Sequence, residues 1–354
     1  MINSKLQTYK NLKVVVTGST GFKGAWLCFW LHLLNAKVVG IALKPERDSI
    51  LFKRLLLSKK IKQIYLDINN FTKLNSTIKK EKPDIIFHLA AQSVVSESYI
   101  NPLQTITTNV IGSSNILESV RINKIKNLIY ITSDKCYLND GRKKSYSEND
   151  ILGGEDLYSA SKACAELTFE AYYKSFLNKD KKLAFATTRA GNVVGGGDMK
   201  KDRIVPDIIK SLKNKTPLII RSPNSTRPWQ HVLEPISGYL KLGDLLMNKK
   251  LPDSIKPNWN FGPNKINCKK VIEVVKEVIN CWGEEKKINI IKSNFKEAKL
   301  LMISSEKAKK ELDWIPSLNF KETISMTVEW YKSCFFENKI EEITKKQIEY
   351  FLRK

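Results

Sequence analysis

Histidines, acidic residues and long apolar runs are all scarce in this chain of 354 residues. The longest apolar stretch, Ala25–Leu34, has ten residues and contains His32. A transmembrane helix needs roughly 20, so no membrane span is expected. Met1–Leu12 lacks the apolar core of a signal peptide. The six cysteines (28, 136, 164, 268, 281 and 334) include no CxxC pair, and with three histidines they form no zinc-like spacing. No metal is expected, and structural, reduced thiols point to the cytoplasm. Acidic residues number 36 against 60 basic ones, a net charge of +24. That excess is scattered as KK and KxxK pieces interleaved with Glu, with no basic block followed by aromatics. Nucleic acid is therefore not an expected partner, while small anionic substrates stay open.

With 42% hydrophobic residues, the chain has material for a substantial core, and its length suits about two domains. Lys13–Thr17, Lys37–Leu43, Ile61–Leu66, Asp84–Leu89, Asn127–Thr132 and Leu183–Thr188 are short, continuously apolar runs, the pattern of parallel strands covered on both faces. Helical stretches separate them: Ala25–Leu34, Phe71–Lys80, Leu103–Val120 and Leu157–Leu177. The alternation predicts an α/β protein with a Rossmann-type doubly wound parallel sheet and a smaller C-terminal substrate-binding lobe. The first domain is placed at 1–190 and the lobe at 191–354, with 232–250 returning to the first domain. Beyond Arg189 the reading is a glycine-rich stretch (191–197), several prolines, and helices such as Leu233–Met247 separated by loops rather than regular strands.

Thr17-Gly18-Ser19-Thr20-Gly21-Phe22-Lys23-Gly24 follows the first strand and opens a helix read as amphipathic. Glycines at 18, 21 and 24 permit a tight turn, close approach to a pyrophosphate, and close helix–strand packing, and the helix N-terminus offers N–H groups to phosphate. Placed between a strand and a helix, the pattern points to a dinucleotide. After the second strand an acidic residue would hold the ribose of NAD, but Lys44 stands there with Arg47 nearby. Glu46 or Asp48 serves from further along, or Lys44 meets a 2′-phosphate, so NAD and NADP are both open. Asp67 and Ile68 are placed to flank the adenine, and the small residues of Leu89-Ala90-Ala91-Gln92 let a cofactor lie close to the backbone.

Tyr158 and Lys162 stand one helical turn apart on one face. A nearby ammonium lowers a phenol's pKa, so a phenolate takes a hydroxyl proton as hydride leaves. The same spacing at Tyr9/Lys13 and Tyr350/Lys354 is chance. Only the 158/162 pair follows a strand ending in Thr132-Ser133-Asp134.

These motifs together resemble the extended short-chain dehydrogenase/reductase superfamily and its NAD-dependent epimerase/dehydratases. More narrowly, TGSTGFKGAWL, TSDKCY, RAGNVVGGGD, DRIVPD, RPWQHVLEP, WNFGPN and LDWIPSLNF are similar to the CDP-glucose 4,6-dehydratases, over roughly Leu12 to Trp330. The resemblance implies oxidation of the sugar at C4, loss of water across C5 and C6, and return of hydride to C6. The catalytic set it implies is Thr132, Asp134, Lys135, Tyr158 and Lys162. Asp134 protonates the leaving hydroxyl, or is a turn residue. Lys135 stands where related dehydratases carry a Glu base, and is either a neutral base or a cation that positions substrate. The implied cofactor set is Gly18, Thr20, Gly21, Phe22, Lys23, Gly24, Lys44, Asp67, Ile68, Ala90, Ala91, Gln92, Asn109, Tyr158 and Lys162. The implied substrate set is Ser93, Asn192, Arg203, Val205, Arg221, Arg227 and His231, with a structural role for His231 as the alternative. A homodimer or higher homo-oligomer and a place in deoxysugar and surface-polysaccharide synthesis are further implications. The alternatives are a dehydratase or 4-epimerase of another nucleotide sugar (GDP-mannose, dTDP-glucose or a UDP-sugar), and a non-catalytic dinucleotide-sensing module.

Overall fold

The computed structural model describes residues 6–142, 144–178, 184–252, 255–291 and 301–354. Seven parallel strands form one sheet: β1 (Lys13–Thr17), β2 (Lys37–Ala42), β3 (Lys62–Tyr65), β4 (Ile85–His88), β5 (Asn127–Ile131), β6 (Ala184–Ala190) and β7 (Asn258–Phe261). Their order is β3-β2-β1-β4-β5-β6-β7, with Val14 opposite both Val38 and Ile85. The expected doubly wound sheet is present, with its order reversing between β1 and β4, where such sheets open a crevice at the carboxyl ends of the strands. Leu183 lies outside the described residues, so β6 is described from Ala184. The seventh strand corrects the expectation of loops alone beyond Arg189. Asn258–Phe261 pairs with Thr187–Ala190, and three short two-stranded pairs lie outside the sheet.

Alternation along the strands divides the core in two. Val14, Val16, Ile85, Phe87, Ile129 and Ile131 face one side, packed with the helices α1 (Phe22–Leu33), α3 (Leu233–Met247) and α4 (Ile340–Arg353). Val15, Ile41, Ile86, Leu128 and Tyr130 face the other, packed with the helices Phe71–Glu81, Ser113–Ile122 and α2 (Leu157–Tyr172). Helix α1 is not amphipathic as expected. Gly24 to Leu31 are buried without interruption. A helix apolar all round needs cover all round, and α4 supplies part of it where Phe351 meets Trp30 edge-on, their ring centroids 6.0 Å apart. Among the described residues no helix is long and apolar enough to cross a membrane.

Candidate active site

The glycine loop is shaped by two close approaches. Gly18 has φ +72°, and a Cβ there would lie 2.9 Å from the amide nitrogen of Ala90. The loop after β1 therefore touches the turn after β4 backbone to backbone. A Cβ on Gly24 would lie 2.1 Å from the Gly18 carbonyl oxygen, so α1 starts against the loop only because residue 24 has no side chain. The Thr17 hydroxyl accepts N–H bonds from Leu89 and Ala90, both at 3.1 Å. It therefore donates to His88 Nδ1 at 2.8 Å, leaving His88 Nε2–H to donate to Ser113 Oγ at 3.0 Å. Burial pushes the His88 pKa down to about 3, so the ring is neutral and ties the ends of β1 and β4 together.

The remaining cofactor candidates take three kinds of place. Ala90, Ala91 and Gln92 line the turn after β4 half-buried. Asn109 is buried beneath them, accepting the Gln92 N–H at 2.8 Å and donating to Gln92 O and Ser161 Oγ. Thr20 donates to Leu43 O at 3.3 Å, and the Phe22 ring sits against Gly195. Lys44 is exposed beyond β2. The acids beyond it, Glu46 and Asp48, both pair with Lys200, at 2.9 and 3.0 Å. Asp67 is exposed and accepts the Asn69 N–H in a local turn, while Ile68 packs in the core against Gly112.

Asp156 caps α2 by accepting the Ser159 N–H at 2.9 Å. Tyr158 and Lys162 follow one turn apart, with the Lys162 Nζ 5.9 Å from the ring centroid. Burial pushes the Tyr158 pKa up to about 12, opposed by a hydrogen bond with Ser133 and by the charge of Arg203. This corrects the expectation of a phenol lowered by Lys162, whose own pKa is pushed down to about 8 by burial and by repulsion from Lys23.

The Thr132 reading is corrected as well. Its hydroxyl points behind the sheet end, toward Glu166 and, at 3.2 Å, the Thr188 carbonyl. The hydroxyl that meets Tyr158 belongs to Ser133. Successive residues at a strand end face opposite ways, a signal that separates Thr132 from Ser133 without saying which of them faces the site. Ser133 Oγ also donates to Asp134 Oδ1 at 3.0 Å and accepts the Lys135 N–H at 3.3 Å, closing the short turn Asp134–Cys136. Burial raises the Asp134 carboxyl above its ordinary range, opposed by Lys135, the Ser133 hydrogen bond, Lys23 and Arg227. Asp134 Oδ2 lies so close to Gly191 that a Cβ there would be 3.2 Å away.

On the lobe side, Arg203 bridges the crevice, donating to Asp198 Oδ2 at 2.7 Å and to the carbonyl and hydroxyl of Ser93 at 3.2 and 3.1 Å. Asn192 is half-buried, and its carbonyl accepts the Gln230 N–H. Val205 is buried in the core. Arg221 stands apart in an exposed pair with Asp202 at 3.1 Å. His231 corrects the substrate set. It has no exposed surface, burial holds its pKa down at about 3, and it packs edge-on to Trp26. The charge of Lys23, expected only as part of the glycine loop, acts on Asp134, Lys162 and Arg203. Lys23, Lys135, Arg203 and Arg227 thus surround a phenol, a hydroxyl and a protonatable carboxyl. This arrangement suits an anionic, hydroxyl-bearing ligand.

A family model described as GDP-mannose 4,6 dehydratase matches residues 15–327. The CDP-glucose 4,6-dehydratase of Salmonella typhimurium is 41% identical over 331 residues, covering 92% of each chain. The fold matches two solved structures. One is the dTDP-glucose 4,6-dehydratase of Bacillus anthracis in complex with NAD, with TM-score 0.77 and 24% identity over 92% of this chain and 98% of that one. The other is an epimerase from Methanothermobacter thermautotrophicus, with TM-score 0.80 and 23% identity over 98% of both. A match over most of its length makes this chain a member of the GDP-mannose 4,6 dehydratase family.

Proposed function

We infer that this chain is an NAD-dependent CDP-glucose 4,6-dehydratase, converting CDP-glucose to CDP-4-keto-6-deoxyglucose. One observation carries the reading: Ser133 hydrogen-bonds both Tyr158 and Asp134. The base for an oxidation and the acid for a water loss therefore meet at one hydroxyl. The relative 41% identical to this chain, a CDP-glucose 4,6-dehydratase, supports the choice of substrate.

The crevice fits a dinucleotide, because the loop backbone, without a Cβ at Gly18 or Gly24, closes on the turn after β4 and on the start of α1, where free main-chain N–H groups suit a pyrophosphate. Gly18 to Gly24, Ala90 to Gln92, Tyr158 and Lys162 would hold it, with Asn109 fixing Gln92 from below. When bound, NAD supplies the acceptor for the C4 hydride, returns that hydride to C6, and adds one positive charge to the crevice.

Tyr158 takes the proton of the sugar 4-hydroxyl as C4 is oxidised, aided by Ser133 and by the cations around it. The new ketone acidifies the C5 proton. Lys135 takes it, and the C6 hydroxyl leaves as water with the proton of Asp134. Hydride then adds to C6, and Lys135 gives its proton back to C5. Tyr158 has gained one proton and Asp134 has lost one. The Ser133 hydroxyl carries it between them, so the site is reset and the sugar has lost only water. Lys23, Arg203 and Arg227 pair with the diphosphate.

Mass spectrometry of the products from CDP-, dTDP-, GDP- and UDP-sugars with NAD tests this. Loss of one water from CDP-glucose alone, without net NADH, is the expected outcome. Water loss from another nucleotide sugar overturns the base assignment, and no reaction overturns the dehydratase reading. We also infer a homodimer, supported by exposed Leu103, Ile111, Leu167 and Phe176 on neighbouring helices. Sedimentation of the chain and of a Leu103→Glu/Leu167→Glu variant distinguishes dimer from monomer.

A further inference from the structure

One buried ion pair has no part in that chemistry. Glu166 and Arg189, each 3% exposed, are joined at 2.8 Å. Glu166 follows Tyr158 and Lys162 at successive intervals of four residues, so the three share one face of α2. One of its carboxylate oxygens accepts the Thr132 hydroxyl. The other accepts Thr187 Oγ1 at 2.9 Å and Arg189 at 2.8 Å. A second nitrogen of Arg189 donates to the Tyr137 hydroxyl at 2.7 Å, and that hydroxyl donates to Asn260 Oδ1 at 2.8 Å. Thr132 and Tyr137 are the residues at either end of Ser133–Cys136. A single ion pair therefore grips both ends of the turn that carries Ser133, Asp134 and Lys135. Glu166 does so from the helix that carries Tyr158 and Lys162, and Arg189 from β6.

We propose that Glu166 and Arg189 are positioning residues, a clamp that sets the register between the α2 side chains and the Ser133–Lys135 turn. The inference rests on the dehydratase reading and assigns the pair a part in it. A buried ion pair is a weak source of net stability, whereas its fixed hydrogen bonds define direction. The oxidation uses Tyr158 and Lys162 on the helix, with Ser133 its one group from the turn. The elimination uses Asp134 and Lys135 on the turn. Loosening the clamp shifts one set against the other, and the step that depends on the turn suffers more.

Thr132→Val and Tyr137→Phe each release one end of the turn with little change of shape, and Thr132→Ser keeps the hydroxyl. With CDP-glucose and NAD, the Thr132→Val/Tyr137→Phe variant is expected to lose about 100-fold in kcat, with KM held within about threefold. In single turnovers it should accumulate NADH that the parent chain does not, because ketone forms faster than water is lost. Thr132→Ser alone should restore the Thr132 end. Amide hydrogen exchange supplies a readout independent of turnover: residues 133–137 should exchange about tenfold faster while α2 stays protected. Parental kcat and exchange in the double variant would overturn the clamp. Equal slowing of both steps with α2 deprotected would overturn it too, as general destabilisation. If the parent chain dehydrates no nucleotide sugar, the functional reading fails, and the exchange comparison still decides whether the clamp exists.

Discussion

The loop after β1 and the turn after β5 border the same crevice, one held by backbone against backbone and the other by side chains from two strands and a helix. At the glycine loop, Gly18 meets Ala90 and Gly24 meets the Gly18 carbonyl, with no space for a Cβ at either. At the turn, Thr132, Tyr137, Glu166, Arg189 and Asn260 form one hydrogen-bonded cluster. The first construction rests on main-chain contacts in which no titrating group takes part. The second sets the direction of groups that must gain and lose protons. In the proposed mechanism, binding rests on the loop and proton chemistry on the turn.

If the loop is limited by backbone contact, Gly24→Ala should be the most damaging small change in the molecule. A methyl 2.1 Å from a carbonyl oxygen forces the helix start off the loop, and overpacking of this kind costs about 1–3 kcal/mol. NAD affinity measured by calorimetry should fall by about 100-fold. Gly21→Ala, whose Cβ would meet the Gly18 oxygen at 3.3 Å, should lose no more than about fivefold. Equal affinities for the two variants would remove the contrast with the turn.

At the turn, Ser133→Ala sharpens the comparison from the other side. It removes the hydroxyl between Tyr158 and Asp134, and with it the acceptor of the Lys135 N–H, while leaving the glycine loop untouched. NAD affinity should stay near the parental value while kcat falls about 100-fold, read as product formed per second at saturating substrate. A large loss of NAD affinity instead would mean that the two constructions are not separable.

This contrast also decides what was legible in the sequence. Six strands of the sheet and the glycine loop were readable because strand runs and glycine spacings are local patterns. Tyr158 and Lys162 were readable because four residues make one helical turn. The clamp was not, since its members lie at 132, 137, 166, 189 and 260, and only the sheet order brings β5, β6 and β7 together beside α2. Thr132 was chosen over Ser133 because both are hydroxyls at one strand end, and the facing direction follows from a register not yet known. His231 was taken for a ligand because it sits beside Arg227 in one string, yet the chain buries it against Trp26. The seventh strand, Asn258–Phe261, was missed because Asn258 and Asn260 break its apolar run, and Asn260 belongs to the clamp.

Side-chain construction recurs in the C-terminal part, where it carries a dependence on pH. Glu234, 1% exposed, accepts the N–H groups of Ser317 and Leu318 at 2.9 and 2.7 Å. Burial raises its pKa from 4.5 to about 7. The folded chain therefore holds this proton more tightly than the unfolded chain does. Stability from this group is greatest below pH 4.5 and is lost as pH rises to about 7. The interval corresponds to about 3 kcal/mol. Glu234→Gln keeps an acceptor and removes the titration. Urea unfolding at pH 5 and pH 8 should show the parent losing more stability than this variant. Identical losses would mean that Glu234 stays ionised in its site.

The smallest expected effect lies where the two constructions meet. Lys23 belongs to the glycine loop by sequence, but its charge acts on the catalytic side chains. After burial, its repulsion is the next cause holding the Lys162 pKa at about 8, and its attraction opposes the rise at Asp134. Lys23→Met removes one positive charge from both. Lys162 then keeps its proton to higher pH, so the alkaline limb of the kcat profile should move upward by up to about one pH unit. Asp134 also holds its proton more firmly, which leaves the acid form in place over the same range. A profile that does not move, with NAD affinity changed, would confine Lys23 to the loop's own work of binding. A limb that moves as expected would mean that the rigid loop also tunes the site across the crevice, through charge rather than contact.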